Sequence, residues 1–283
     1  MPSRLAGAVS LALAVVSLSP FAAFGPVRAA VPPAQARRIV SLIPSLTEDL
    51  FAIGAGAQVV GVSQYTDYPA AATRLPQVAS FTSLDAERIV RLHPDVVVGI
   101  PAQQRLTADV ARAGVPVVLI ADERYDDIFT ALARLGALTG RESAAAALAR
   151  RLRARTAALV RGLPAGRPSV FVVLQADPIV TTGDASYIAR LIALAGGRNA
   201  ADDARDAYTR YSAEALVAHD PDAIVTDRTS GLGGALGRAP WNALRAVRTG
   251  RVYVLDDADI LERPGPRYVD GLAWLIARLH PHG

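Results

Sequence analysis

The residues best equipped for recognition are aromatics and arginines placed just beyond short apolar runs. Gln64-Tyr65-Thr66-Asp67-Tyr68-Pro69 follows the run Val59 to Val62, and Phe81 lies a little further on. Tyr208, Trp241, Arg263 and Arg267 occupy comparable places in the second half of the chain. Aromatic faces suit flat, largely apolar ligands, and arginine forks suit anionic groups. Bond-making chemistry has little to stand on. The chain has no Cys, which excludes disulfide frameworks, thiolate metal sites, iron–sulfur clusters and cysteine nucleophiles. It has no Lys either, so P-loop phosphoryl transfer and Schiff-base chemistry lose their usual amine. No Gly-x-Ser-x-Gly elbow, Walker A loop or dinucleotide fingerprint is present. The Gly-rich segment Gly231 to Gly237 matches no phosphate motif and is expected to be a flexible loop. His93 and His219 stand at helix ends beside Pro-Asp turns, and His280 and His282 lie in the tail, so no metal site is expected. No catalytic residues are assigned, and a binding protein is expected rather than an enzyme.

The elements that must position these residues alternate strand with helix. Apolar runs at Ile39 to Leu42, Val59 to Val62, Val96 to Ile100 and Val115 to Ile120 read as buried strands. Between and after them, helices are expected from Pro44 to Ile53, with Ser45 and Glu48 at capping-box spacing, from Asp85 to Leu92 and from Asp126 to Leu138. The Ala-, Arg- and Leu-rich stretch from Arg141 to Arg161 reads as one long helix of about 30 Å, enough to bridge two lobes. Alternation then resumes with strands at Val170 to Leu174, Ala223 to Thr226 and Val252 to Leu255. Helices are expected at Ala185 to Ala195, Ser212 to Ala218, from Trp241, and from Arg267 to Leu279. This pattern predicts an α/β fold of two Rossmann-like lobes with parallel sheets joined by a single long helix. The divisions are a signal peptide over 1–29, an N-terminal lobe over 30–139, a linker helix over 140–166 and a C-terminal lobe over 167–283.

An internal repeat supports two lobes. Ala86 to Val98 aligns without a gap on Ala213 to Val225, each with Glu in the first helical turn, Pro-Asp at the helix stop and a buried strand after it. The matching glutamates are Glu87 and Glu214.

Hydrophobic residues make up 51% of the 283, ample for two cores. Arg4, the apolar run beyond it and the small residues around Val27 and Ala29 read as a secretory signal cleaved after residue 29. Without Cys no lipid can be attached to a mature N-terminal cysteine, so the product is expected free in the periplasm. Loss of Arg4 and Arg28 takes the formal charge from +4 to +2. With no arginine run interleaved with aromatics, nucleic acid is not an expected partner.

Arg38-Ile39-Val40-Ser41-Leu42 with Pro44-Ser45-Leu46-Thr47-Glu48, Gly61 to Pro69 and Glu87-Arg88-Ile89 resemble the periplasmic substrate-binding proteins of the cobalamin, haem and ferric-siderophore ABC importers. The resemblance covers nearly the whole mature chain. Tyr65 to Pro69, Asp177-Pro178 to Thr182-Gly183, Ser186-Tyr187-Ile188, Ala195 to Asn199 and Glu262 to Arg267 are most similar to the cobalamin-binding branch. That branch has Trp where Phe81 and Tyr208 stand. The resemblance implies that Tyr65, Phe81 and Tyr208 contact a corrin ring, with Asp259 and Arg263 as polar contacts, and Trp241 is counted with them as a cleft aromatic. It implies that Glu87 and Glu214 dock onto arginines of an ABC permease dimer, which works with its ATPase. The protein would act as a monomer with cobalamin as transported ligand and no cofactor of its own. Haem, with Tyr65 or Tyr208 as the axial ligand, and a ferric siderophore met by Arg105, Arg263 and Arg267 are the alternatives within the family. A periplasmic enzyme on the same scaffold is the remote one.

Overall fold

A computed structural model of the chain describes residues 35–281. The signal expected over residues 1–29 lies outside the described residues. Short valine-rich runs form the strands: Val96, Val97 and Val98 have no exposed surface, as β-branched residues covered on both faces of a parallel sheet should. The first half contains β1 (Ile39–Ser41), α1 (Pro44–Ala52), β2 (Val59–Ser63), β3 (Gln77–Ala79), α2 (Ala86–Arg91), β4 (Val96–Gly99), α3 (Ala108–Arg112), β5 (Val117–Leu119), α4 (Tyr125–Thr139) and α5 (Glu142–Leu159). Its strands lie in the order β3-β2-β1-β4-β5, all parallel.

The second half contains β6 (Ser169–Val173), β7 (Gln175–Ala176), β8 (Ile179–Thr182), α6 (Tyr187–Leu194), β9 (Arg198–Asn199), β10 (Tyr208–Arg210), α7 (Ala213–His219), β11 (Ala223–Asp227), α8 (Leu232–Ala235), α9 (Arg245–Arg248), β12 (Val252–Leu255), α10 (Asp259–Glu262) and α11 (Tyr268–Leu279). A parallel sheet runs β12-β11-β6-β9, and β10-β8-β7 form a small antiparallel sheet beside it. Two helix-flanked parallel sheets are the α/β architecture that the sequence pattern predicts.

The repeat has a structural counterpart. His93 and Asp220, at the same repeat position, are the non-glycine residues with positive φ among the described residues, 47° and 36°, where each helix stops. Two residues on, Asp95 accepts from the backbone N–H groups of Arg37 and Arg38, just before β1, while Asp222 accepts from the N–H of Ser169 at the start of β6. Asp85 and Ser212 cap the two helices through Arg88 N–H and Ala215 N–H. In each half the repeat strand lies inside its sheet, β4 beside β1 and β11 beside β6.

The lobes are fastened through α4 and α5. Gly140, at φ 68°, ends α4, and α5 turns back along it. A Cβ at Gly136 would stand 2.7 Å from that of Ala145, so glycine there permits the close approach. Over its 18 residues, about 27 Å, α5 passes from the first lobe to the second. Thr156 bonds the Tyr268 hydroxyl at 2.8 Å and Arg155 meets Asp270 at 2.7 Å, both on α11. One apolar core runs continuously from Leu46 and Leu132 through Leu148 to Leu191 and Leu272, so both lobes share it.

Three local expectations fail. The helix expected from Trp241 is a 3-10 turn, Trp241–Ala243, separated from α9 by Leu244, whose extended backbone (ψ 140°) accompanies a fully buried side chain. The Gly-rich segment expected as a loop contains α8, entered through Gly231 at φ 79°. The Ser45–Glu48 spacing forms no capping box: Ile43 is the N-cap, Pro44 starts the helix, and no side chain caps its N-terminus.

Candidate ligand-binding site between the lobes

Glu48 points across the seam instead of back to its helix end. Its side chain is 1% exposed, and it receives Arg267 Nε and Nη2 at 2.8 Å each and Arg263 Nη1 at 3.1 Å. Both arginines come from the other lobe, Arg263 closing α10 and Arg267 preceding α11. Arg263 also meets Asp67 at 2.5 Å, Asp259 at 2.8 Å and the Tyr65 carbonyl at 3.1 Å. Arg267 reaches Asp257 at 2.8 Å and lies over the Tyr68 ring, 4.3 Å from its centre. Thus Tyr65-Thr66-Asp67-Tyr68, beyond β2, is held by the same two arginines that bind α1.

The exposed aromatics join this network through Tyr65, whose carbonyl oxygen accepts from Arg263. Tyr65 and Phe81 stack at 4.5 Å with their planes 20° apart, yet are 42% and 57% exposed. Large rings left that open are unusual, and here they form one apolar platform. Tyr208 on β10 is also about half exposed. Burial around its hydroxyl, then the fields of Asp122 from the first lobe, Glu262 from its own and Glu123 from the first, push its pKa up to about 12, so acids of both lobes stand near it. Tyr208 is positioned by its pairing with Thr182 and by Gly183 beyond it, where a Cβ would fall 2.1 Å from the Asp206 carbonyl oxygen. Beneath it the fully buried Tyr187 donates to the Leu261 carbonyl at 2.5 Å and so fixes α10.

The seam is acidic. Burial, then the neighbouring Asp67 and Asp257, outweigh Arg263 and push Asp259 up to about 6. Asp67 moves the other way: burial alone would raise it, but the hydrogen bond and charge of Arg263 hold it below the ordinary range. Burial, then Asp227 and Asp259, push Glu262 up to about 7, and burial with Glu123 and Asp127 pushes Asp122 up to about 6. Asp49 is fully buried with neither oxygen partnered among the described residues, and burial beside Glu48 and Asp122 holds it well above the usual carboxylate range. Two arginines are shared among four carboxylates, leaving no spare positive charge on either.

Tyr65, Phe81, Tyr208, Asp259 and Arg263 are therefore gathered along one seam. Trp241 is not: it is 2% exposed in the C-terminal core with Phe171, Val173 and Leu244, because the turn that carries it folds inward over that sheet. Glu87 and Glu214 lie exposed in the first turns of α2 and α7, Glu87 3.5 Å from Arg91. His219 bonds the Ala200 carbonyl oxygen through Nδ1 and faces Asp203 and Asp202, on the surface of the C-terminal lobe. Glu48, Asp67 and Asp257 were missed as members of the site. The sequence signal for Glu48 was present, an acid in a helix start after a strand, but the same spacing also describes a capping box.

A family model described as periplasmic binding protein matches residues 39–258. The vitamin B12-binding protein of Vibrio cholerae serotype O1 is 31% identical over 244 residues, covering 85% of this chain and 88% of its own. The crystal structure of a periplasmic vitamin B12-binding protein of Vibrio cholerae, BtuF, superposes with a TM-score of 0.78 at 29% identity, over 88% of this chain and 98% of that one. A periplasmic haem-binding protein from Pseudomonas aeruginosa gives a TM-score of 0.76 at 30% identity, over 88% and 94%. Matched over most of its length and built on the same two lobes, the chain belongs to the periplasmic binding protein family.

Proposed function

We propose that this protein captures cobalamin or a related corrinoid between its lobes and delivers it to the permease dimer of an ABC importer driven by its ATPase. It is exported by the segment 1–29 and works free in the periplasm. The observation that carries the ligand is the Tyr65–Phe81 platform, with Tyr208 on the opposite lobe, beside arginines already neutralised by Glu48, Asp67, Asp257 and Asp259. Such a seam offers apolar faces and hydrogen-bond acceptors to a macrocycle ringed by amides, and gives an anionic chelate little attraction. Among the arginines invoked for a ferric siderophore, Arg263 and Arg267 are occupied, which leaves Arg105.

Haem is the second reading, supported by the haem-binding structural relatives and by the exposure of Tyr65 as an axial ligand. Tyr208 suits that role poorly, since its surroundings favour the neutral phenol. The permease contact is assigned to Glu87 and Glu214, one on each lobe at equivalent positions. As the relatives are binding components of transport systems, no catalysis is expected: the ligand should be returned unchanged.

Absorbance and calorimetric titrations of the signal-free protein with cyanocobalamin and, separately, with haemin test the reading. One-to-one cobalamin binding without a haem Soret shift supports it. A Soret shift lost in Tyr65→Phe moves the protein to the haem reading, and silence with both ligands overturns both.

A further inference from the structure

A cavity lies between the lobes, with Glu48 and Arg267 in its wall. Its volume is about 520 Å³, within the range of small-molecule sites, and none of Tyr65, Phe81 and Tyr208 lines it. Phe51 of α1, Leu148 and Leu152 of α5 and Val269 of α11 give it apolar walls. Three arginines border it. Arg267 is spent on Glu48 and Asp257, and Arg155 on Asp270. Arg151, one turn before Arg155 on the same face of α5, is exposed and has no carboxylate within 4.0 Å among the described residues. The cavity's one acid, Glu48, has both oxygens engaged by arginines. The cavity is thus an apolar volume with a single uncompensated positive charge at its rim.

We infer that this cavity is a binding site for a small monoanionic amphiphile, a carboxylate on an apolar chain or ring. The carboxylate meets Arg151 and the apolar body lies against Phe51, Leu148 and Leu152. Its walls come from both lobes and from α5, so occupancy steadies their arrangement and raises the melting midpoint by mass action. The site is separate from the corrinoid reading and stands or falls without it.

The test is calorimetry of the signal-free protein with decanoate below its micelle concentration, with decanol as the uncharged control and melting curves in parallel. Expected are saturable one-to-one binding, at least about fivefold weaker in Arg151→Gln and for decanol, and a decanoate-dependent rise in melting midpoint. Ala52→Trp, at an exposed position on the cavity wall, should abolish both effects; if it fails to fold, Ala71→Trp fills the cavity from the facing loop. No saturable binding overturns the inference. So does binding that survives the Trp substitution, which puts the ligand elsewhere, or equal affinity for decanol, which removes the role of Arg151.

Discussion

Replacing Glu48 by Ala is the sharpest test of how the lobes are held. The substitution removes a carboxylate that accepts three charge-assisted hydrogen bonds, and leaves the Arg263 and Arg267 side chains 15% and 14% exposed. Breaking one side of a buried ion pair costs about 3–5 kcal/mol, mostly because the remaining charge stays desolvated. Here Arg263 keeps Asp67 and Asp259, Arg267 keeps Asp257, and the unpartnered Asp49 loses an acidic neighbour, which places the cost at the low end, about 3 kcal/mol. For a chain of this size that is a fall in melting midpoint of about 6–10 °C. Glu48→Gln, which keeps the shape and one acceptor, should fall between wild type and Ala. Adding Arg267→Leu to Glu48→Ala should recover part of the loss, since it removes the stranded cation and extends the apolar surface beside Pro266 and Val269. Thermal melts followed by circular dichroism give the values. If Glu48→Ala melts within about 1 °C of wild type, or the double variant is worse than the sum of its single changes, the ion network is not what joins the lobes.

Tyr65→Ala and Phe81→Ala should each weaken corrinoid binding by about tenfold, with little change in melting because both rings are largely exposed; unchanged affinity in a calorimetric titration removes the platform from the site. Glu262 and Asp259 are raised in the folded protein, so the folded state holds protons the unfolded chain has released. That contribution is largest below about pH 4 and is lost as pH rises through about 6 to 7. Glu262→Gln should therefore stabilise at pH 8 by about 1 kcal/mol, after allowing for its partial exposure, and do little at pH 5; equal shifts at both would refute the titration. Asp67 and Asp222 are lowered, and their contribution is lost as pH falls below about 4, so melting across pH should peak near about pH 5. Glu87→Ala with Glu214→Ala should leave ligand affinity unchanged and reduce uptake in cells lacking the native protein; undiminished uptake would sink the docking assignment.

Much of the fold was legible because it rests on local chemistry. Parallel strands flanked by helices need short apolar runs, and these mark β1, β2, β4, β5, β6, β11 and β12 in the sequence. Asp85 and Ser212 announce helix starts because their oxygens take up unpaired N–H groups. The repeat was visible for the same reason, since each half meets the same helix-stop and strand-entry problem with Asp95 and Asp222. The antiparallel β7, β8 and β10 were not legible: Gln175-Ala176, Ile179 to Thr182 and Tyr208 to Arg210 mix polar with apolar residues instead of forming apolar runs, and their pairing depends on what lies beside them.

The candidate site divides the same way. Sequence alone supplied the aromatic and arginine content of the strand-end loops, because loops beyond apolar strands are where such residues can serve recognition as well as pack the loop itself. Only the tertiary structure decided which of them meet. Trp241 and Phe81 are equally aromatic and equally loop-borne, yet one turn folds into a core and the other presents its ring to solvent against Tyr65. Glu48 has the same spacing from Ser45 as a helix cap, but its partners lie more than two hundred residues away in the other lobe. A side chain's role follows from what the folded chain brings within about 3 Å of it, and for contacts across the seam no local pattern records that.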